Sequence, residues 1–372
     1  MSISIKGRLI AALAVAAMVA TACSSSATPT PVPATVAPTV APVATPASNT
    51  ASTASAAVDL MNPANVPMTL TELNALGPAP TCTDTKGTIG LADATLSAPF
   101  FEGIRQGVSD MAARLCYKVI FQTADDGTQQ TNQVQQMLAQ HINALIYIPS
   151  GADAASVPVT AANSANVPVI AVDRVAPSGK VVTFIAADSV PGAAAVCEYM
   201  AKGINGKGDV IWIEGQVGTT PWQARTTGCG QALAKYPDIH IVGKQPADWD
   251  RTKGFNVARD LLQAHPTTVG IFGMSDDMAV GAAQAAAAAG KTEFVVGFDG
   301  LPTALQAVKD GKVNATMIQP CYHFGMLAVV DAILAIQGQT SGIPAQQLTM
   351  PILVTKDNVD QYLGKGYYGK LG

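Results

Sequence analysis

Charge is scarce in this sequence. Asp, Glu, Lys and Arg make up 13% of its 372 residues, about half the usual share of roughly 25%. The 22 Lys+Arg against 26 Asp+Glu leave a net charge of −4, with no basic patch, acidic tail or heptad run. That excludes the phosphate-neutralising surface which a nucleic-acid partner requires. Histidine is also sparse: the four, at 141, 240, 265 and 323, are scattered and show no metal-ligand spacing. No Gly-x-Gly-x-x-Gly and no Gly-x-Ser-x-Gly occurs. Gly290-Lys291-Thr292 carries the last three letters of a phosphate loop, but the earlier glycine is replaced by Ala285 and the triplet follows a helical stretch. The chain is therefore expected to be no enzyme, with no cofactor and no metal.

The apolar run at 9–22 is too short for a stable membrane span. Preceded by Lys6 and Arg8 and closed by small residues, it reads as a secretory signal over residues 1–22. The words Val19-Ala20-Thr21-Ala22-Cys23 resemble the bacterial lipobox, which makes Cys23 the expected lipidated first residue. Residues 23–57 hold Ser, Thr, Pro, Ala and Val without charge or apolar period, so they cannot bury enough surface to order themselves. Their prolines suit an extended tether. The expected location is extracytoplasmic, at the outer face of the cell membrane. Residues 58–85, with Pro63, Pro67, Pro78 and Pro80, form a lead-in expected on the surface of the folded domain.

Beyond position 86 short apolar runs alternate with helical stretches. Strands are predicted at 88–92, 118–122, 144–148, 167–172, 182–186, 209–213, 239–244, 269–274, 294–298, 315–318 and 349–354. Helices of 10–15 residues between them, one of them predicted at 152–166, imply βαβ units and parallel sheets. More than eight units argue against a TIM barrel, so two doubly wound α/β lobes are the economical architecture. Five cysteines remain beside Cys23, in a compartment that permits disulfides. Cys82 and Cys116 each precede one of the first two strands. Adjacent parallel strands start about 4.8 Å apart, within disulfide reach, and a bridge is predicted. Cys197 with Cys229 is a second candidate pair, leaving Cys321 over.

In open parallel sheets ligands bind at the carboxyl ends of the strands. The polar and aromatic residues at those ends are Phe100 and Phe101, Asp173 and Arg174 in the first half, and Arg225, Trp249, Ser275, Asp299 and Gln319 in the second. Aromatic faces beside Arg, Asp and Gln suit a polyhydroxylated ligand: ring faces stack, and charged partners give the stronger hydrogen bonds to hydroxyls.

Several stretches together resemble one family, the type I periplasmic sugar-binding proteins of ABC transporters, nearest the ribose-binding branch. They are Thr95-Leu-Ser-Ala-Pro-Phe-Phe101, Asn166-Val-Pro-Val-Ile-Ala-Val-Asp-Arg174, Ala247-Asp-Trp-Asp-Arg-Thr-Lys-Gly-Phe-Asn-Val257, Ser275-Asp-Asp-Met-Ala-Val-Gly281, Val295-Val-Gly-Phe-Asp-Gly300 and Ala315-Thr-Met-Ile-Gln319. The resemblance implies two lobes joined by three hinge strands: 86–187 plus 320–349, and 188–319 plus 350–372. It implies a monomer that closes on a monosaccharide or cyclitol and delivers it to ABC permease subunits. It places pocket positions on Phe100, Phe101, Asp173, Arg174, Arg225, Trp249, Asp299 and Gln319. Family asparagines fall on Ala98 and Ser275, and a longer loop at 218–225 adds Trp222 near the site, so a ligand larger than ribose is expected. A sensor feeding a chemoreceptor is the alternative role. The effector core of a LacI-type repressor shares the fold, but the export signal and the missing helix-turn-helix argue against it.

Overall fold

The structure, a computed structural model, describes residues 58–95 and 98–364. The expected signal, Cys23 and its tether lie outside the described residues. The chain enters through a 3-10 turn at Pro63–Asn65 and helix α1 (Leu70–Ala75). The first lobe follows as β1 (Thr88–Asp93), α2 (Pro99–Leu115), β2 (Lys118–Thr123), α3 (Gly127–Ala139), β3 (Ala144–Tyr147), α4 (Ser156–Ser164), β4 (Val169–Val172) and β5 (Thr183–Ala187). The second comprises α5 (Ser189–Gly203), β6 (Lys207–Glu214), α6 (Thr220–Leu233), β7 (Asp238–Pro246), α7 (Arg251–Ala264), β8 (Thr268–Gly273), α8 (Asp276–Ala288), β9 (Phe294–Val296), α9 (Pro302–Lys309) and β10 (Ala315–Ile318). Helix α10 (Cys321–Ile336) and β11 (Gln346–Thr349) return to the first lobe, and β12 (Ile352–Thr355) to the second.

The first sheet runs β11-β5-β4-β3-β1-β2 and is parallel throughout. The second runs β12-β10-β9-β8-β6-β7, with only β12 antiparallel. This is the expected pair of doubly wound lobes. The four residues of β3 and of β4 are all buried, as apolar runs become when helices cover both faces of a parallel sheet. The chain passes between lobes three times: after β5, between β10 and α10, and between β11 and β12.

Three expectations are corrected. The single strand predicted at 349–354 is two strands in different sheets, because Pro351 has no N–H to extend a ladder. The predicted helix at 152–166 begins only at Ser156, since Pro158 is tolerated in a first turn and not farther in. The lead-in is more than a surface segment. Val66 and Leu73 are buried in the main core, Arg114 on α2 donates to the Gly77 carbonyl oxygen at 2.5 Å, and His323 Nδ1 on α10 meets the Pro67 carbonyl oxygen at 2.9 Å. These two apolar side chains cost less free energy in that core than in water.

Cys82 and Cys116 are bridged, with Cα atoms 5.5 Å apart. Cys197 and Cys229 form a second disulfide, at 5.2 Å, between α5 and α6. Cys321 is buried and belongs to neither.

Candidate functional site

A cavity lies between the lobes, at the carboxyl ends of both sheets. Phe100 and Phe101 reach it from the first turn of α2, which Pro99 opens. Asp173 and Arg174 directly follow β4, Arg225 sits one turn into α6, and Trp249 ends the loop before α7. Ser275 caps α8, its Oγ accepting from the Met278 N–H at 3.4 Å. Asp299 follows β9. The cavity among these side chains is small, about 30 Å³. The two lobes also hydrogen-bond directly, Arg174 to Gln216 and the Val175 N–H to Thr220, so they are closed against each other.

Two Asp–Arg pairs face each other across this space. In the first lobe Arg174 Nε stands 3.4 Å from Asp173 Oδ2, and in the second Arg225 Nη2 stands 3.2 Å from Asp299 Oδ1. The guanidinium of Arg174 lies 5.2 Å from the Phe101 ring centroid and 5.9 Å from that of Trp249. That of Arg225 lies 5.4 Å from Trp249 and 4.0 Å from Phe298, so both cations rest on aromatic faces. Burial pushes the Asp173 and Asp299 carboxyls up; Arg174 and Arg225 pull Asp173 back, and Arg225 pulls Asp299 back. Burial likewise pushes Arg174 down, with Asp173 opposing it. The pairs are thus desolvated in advance of a ligand, which raises the value of each hydrogen bond they can offer.

The backbone is forced at the same points. Asp173 (φ +59°), Trp249 (φ +66°) and Asp299 (φ +125°) all have positive φ, a region that costs non-glycine residues about 1–3 kcal/mol and collects at ligand clamps. Trp249 is held there by packing. A Cβ at Gly215 would overlap its indole ring, so the ring occupies the space that a side chain at the end of β6 would need. The indole Nε1 is buried without a partner and is a donor a ligand could use. Gly215→Ala should displace the ring and weaken ligand affinity by about three- to tenfold, the size of one lost aromatic stack. Titration calorimetry checks this, and affinity within twofold of the parent would show that the ring does no work in binding.

Two expected residues sit differently. Gln319 is not among the described residues that line the cavity; its Nε2 donates to Asp299 Oδ1 at 2.6 Å. Trp222, expected beside the site on a loop, lies in the first turn of α6 and packs half-buried against the core. Its neighbour Pro221 lines the cavity instead, and successive helical residues point about 100° apart. Ala98, Asp277 and Leu301 complete the lining. Asp93 ends β1 fully buried, with Arg105 Nε 3.8 Å away. Burial raises its carboxyl to about 8, against the opposing pull of Arg105. The rule that selects Asp173 and Asp299, a polar residue closing an apolar strand, also selects Asp93.

Residues 89–340 match the family described as "Periplasmic binding protein domain". The chain belongs to this family. The ribose import binding protein of Escherichia coli (strain K12) is 38% identical over 256 residues, covering 68% of this chain and 86% of that one. The xylitol-binding protein of Mycolicibacterium smegmatis is 31% identical over 282 residues, 74% and 79% of the two chains. Among solved structures, an ABC transporter periplasmic solute-binding protein of Actinobacillus succinogenes with bound D-allose superposes with a TM-score of 0.70 at 31% identity, covering 74% of this chain and all of that one. A solute-binding protein of Bacillus halodurans with bound myo-inositol gives 0.71 at 27% identity, covering 77% and 100%. These relatives are binding proteins, and this periplasmic binding protein is likewise not an enzyme.

Proposed function

We propose that this periplasmic binding protein captures a monosaccharide or related polyol between its lobes and delivers it to the permease of an ABC transporter. The observation that carries the reading is the pair of buried Asp–Arg couples on opposite lobes, set against Phe101 and Trp249. Carboxylate and guanidinium together accept from and donate to vicinal hydroxyls, while the rings take the C–H faces. Relatives named for ribose and xylitol, and neighbours holding allose and myo-inositol, support that ligand class. In this reading the protein works as a monomer outside the cytoplasm, anchored through lipid on Cys23, and opens about the three crossings at 187–189, 318–321 and 349–352.

Ligand size follows from two positions. Ala98 offers no side-chain hydrogen bond, and the Ser275 Oγ accepts from the Met278 N–H as a helix cap, leaving its short O–H as the donor there. A site without a partner for a hydroxyl discriminates against the ligand that carries it there, and both residues are small. A hexose or cyclitol is therefore expected to bind at least tenfold tighter than ribose. Calorimetry against D-ribose, D-allose, xylitol and myo-inositol decides: ribose tightest by tenfold overturns the size argument, and heat from none of them overturns the function.

A further inference from the structure

Arg174 makes a second set of contacts that ligand binding does not require. Its Nη1 donates to the Pro149 carbonyl oxygen at 2.9 Å, within the first lobe, and to Gln216 Oε1 at 3.2 Å, on the second lobe's connection between β6 and α6. A guanidinium Nη carries two N–H bonds. These two acceptors therefore occupy Nη1, Nε faces Asp173 at 3.4 Å, and Nη2 is left for a ligand. The amide of Gln216 is received closely: a Cβ at Gly151, which follows the first lobe's Ser150, would stand only 3.1 Å from Gln216 Nε2. A few residues on, the Val175 N–H donates across the cleft to Thr220 Oγ1 at 3.4 Å. Both cross-lobe bonds use atoms of the protein alone.

We propose that Gln216 is a positioning residue for binding: it fixes the Arg174 guanidinium and latches the lobes together. The bond from Arg174 to Gln216 exists only when the lobes meet, so it favours the closed state and contributes nothing to the open one. Apparent affinity scales with the closed population present before the ligand arrives. The latch consequently raises affinity for every ligand the cleft accepts, by one common factor, and leaves selectivity to Asp173, Asp299 and the rings. Its ligand measurements rest on the sugar-binding reading; its conformational measurement does not.

The test uses the mature protein and two variants that loosen the latch differently. Gln216→Ala removes the acceptor, and Gly151→Val pushes the amide away without touching Arg174. Each should weaken binding of D-ribose, D-allose, xylitol and myo-inositol by the same factor, on the order of tenfold for one hydrogen bond to a charged group. Ratios between the sugars should stay as in the parent. Without any ligand, each should enlarge the radius of gyration in small-angle scattering. Adding Gln216→Ala to Arg174→Ala should change nothing further, because the bond is already gone. Affinities within twofold of the parent together with an unchanged ligand-free radius overturn the proposal. So does a shift of more than threefold in the ratio between two sugars, since Gln216 would then be touching ligand itself. If the parent binds none of the four sugars, the functional reading fails alone, and the ligand-free radius still decides for or against the latch.

Discussion

Replacing Arg174 by alanine is expected to weaken sugar binding by about 2–5 kcal/mol, the cost of truncating one member of a buried charge pair, or about 30- to 5,000-fold in Kd. The effect has three sources. Asp173 loses the cation 3.4 Å away and, being buried, is driven further toward the neutral acid. The Pro149 carbonyl oxygen and the Gln216 amide lose their donor. The ring faces of Phe101 and Trp249 lose the planar group between them. Arg174→Lys should recover little of the affinity, because an ammonium cannot reach an aromatic face and two acceptors in one plane. Calorimetry with the tightest sugar of the panel, on protein whose circular dichroism matches the parent, gives the answer. Affinity of the alanine variant within threefold of the parent would remove Arg174 from the site.

The second large effect concerns stability. The two disulfides span sequence separations of 34 and 32 residues, and closing loops of that length restricts the unfolded chain by about 4 kcal/mol each on the chain-entropy account. Cys82→Ser with Cys116→Ser, and separately Cys197→Ala with Cys229→Ala, should each lower the unfolding free energy of the lobe that holds them by ~2–4 kcal/mol. The second pair should be the more damaging, because both sulfurs are fully buried between α5 and α6 and their loss leaves a cavity. Sugar affinity should stay near the parent's in both, since neither bridge lines the cleft. Denaturant titration measures the loss. Unchanged midpoints, or thiol labelling of Cys82 or Cys197 in unreduced protein, would contradict the assignment.

Much of the fold is legible in the sequence because its signals are local. Runs such as Val169-Ile-Ala-Val172 admit little besides a buried strand, and the Ala-rich stretch of α8 suits only a helix pressed on a sheet. The lining of the cleft is legible at strand ends: Asp173 and Asp299 each follow an apolar strand, and both line the cavity. Rotation about a helix is harder to read. Nothing in Pro221-Trp222 says which of the two turns toward the cavity, and the larger, more suggestive side chain is the one that turns away. Contacts between lobes are harder still. Gln216 lies 42 residues from Arg174 in sequence, and their bond depends on the two lobes meeting, which no local pattern encodes. Asp93 is a different matter: its signal is present at the end of β1 and is the same one that marks Asp173.

The most direct measurement of the central claim is a crystal structure of the protein with the tightest-binding sugar of the panel. The sugar should lie between Phe101 and Trp249, with hydroxyl oxygens within hydrogen-bonding distance of Asp173 and Arg174 from one lobe and of Arg225 and Asp299 from the other. A sugar bound elsewhere, or held in the cleft without contact to either Asp–Arg pair, would contradict it.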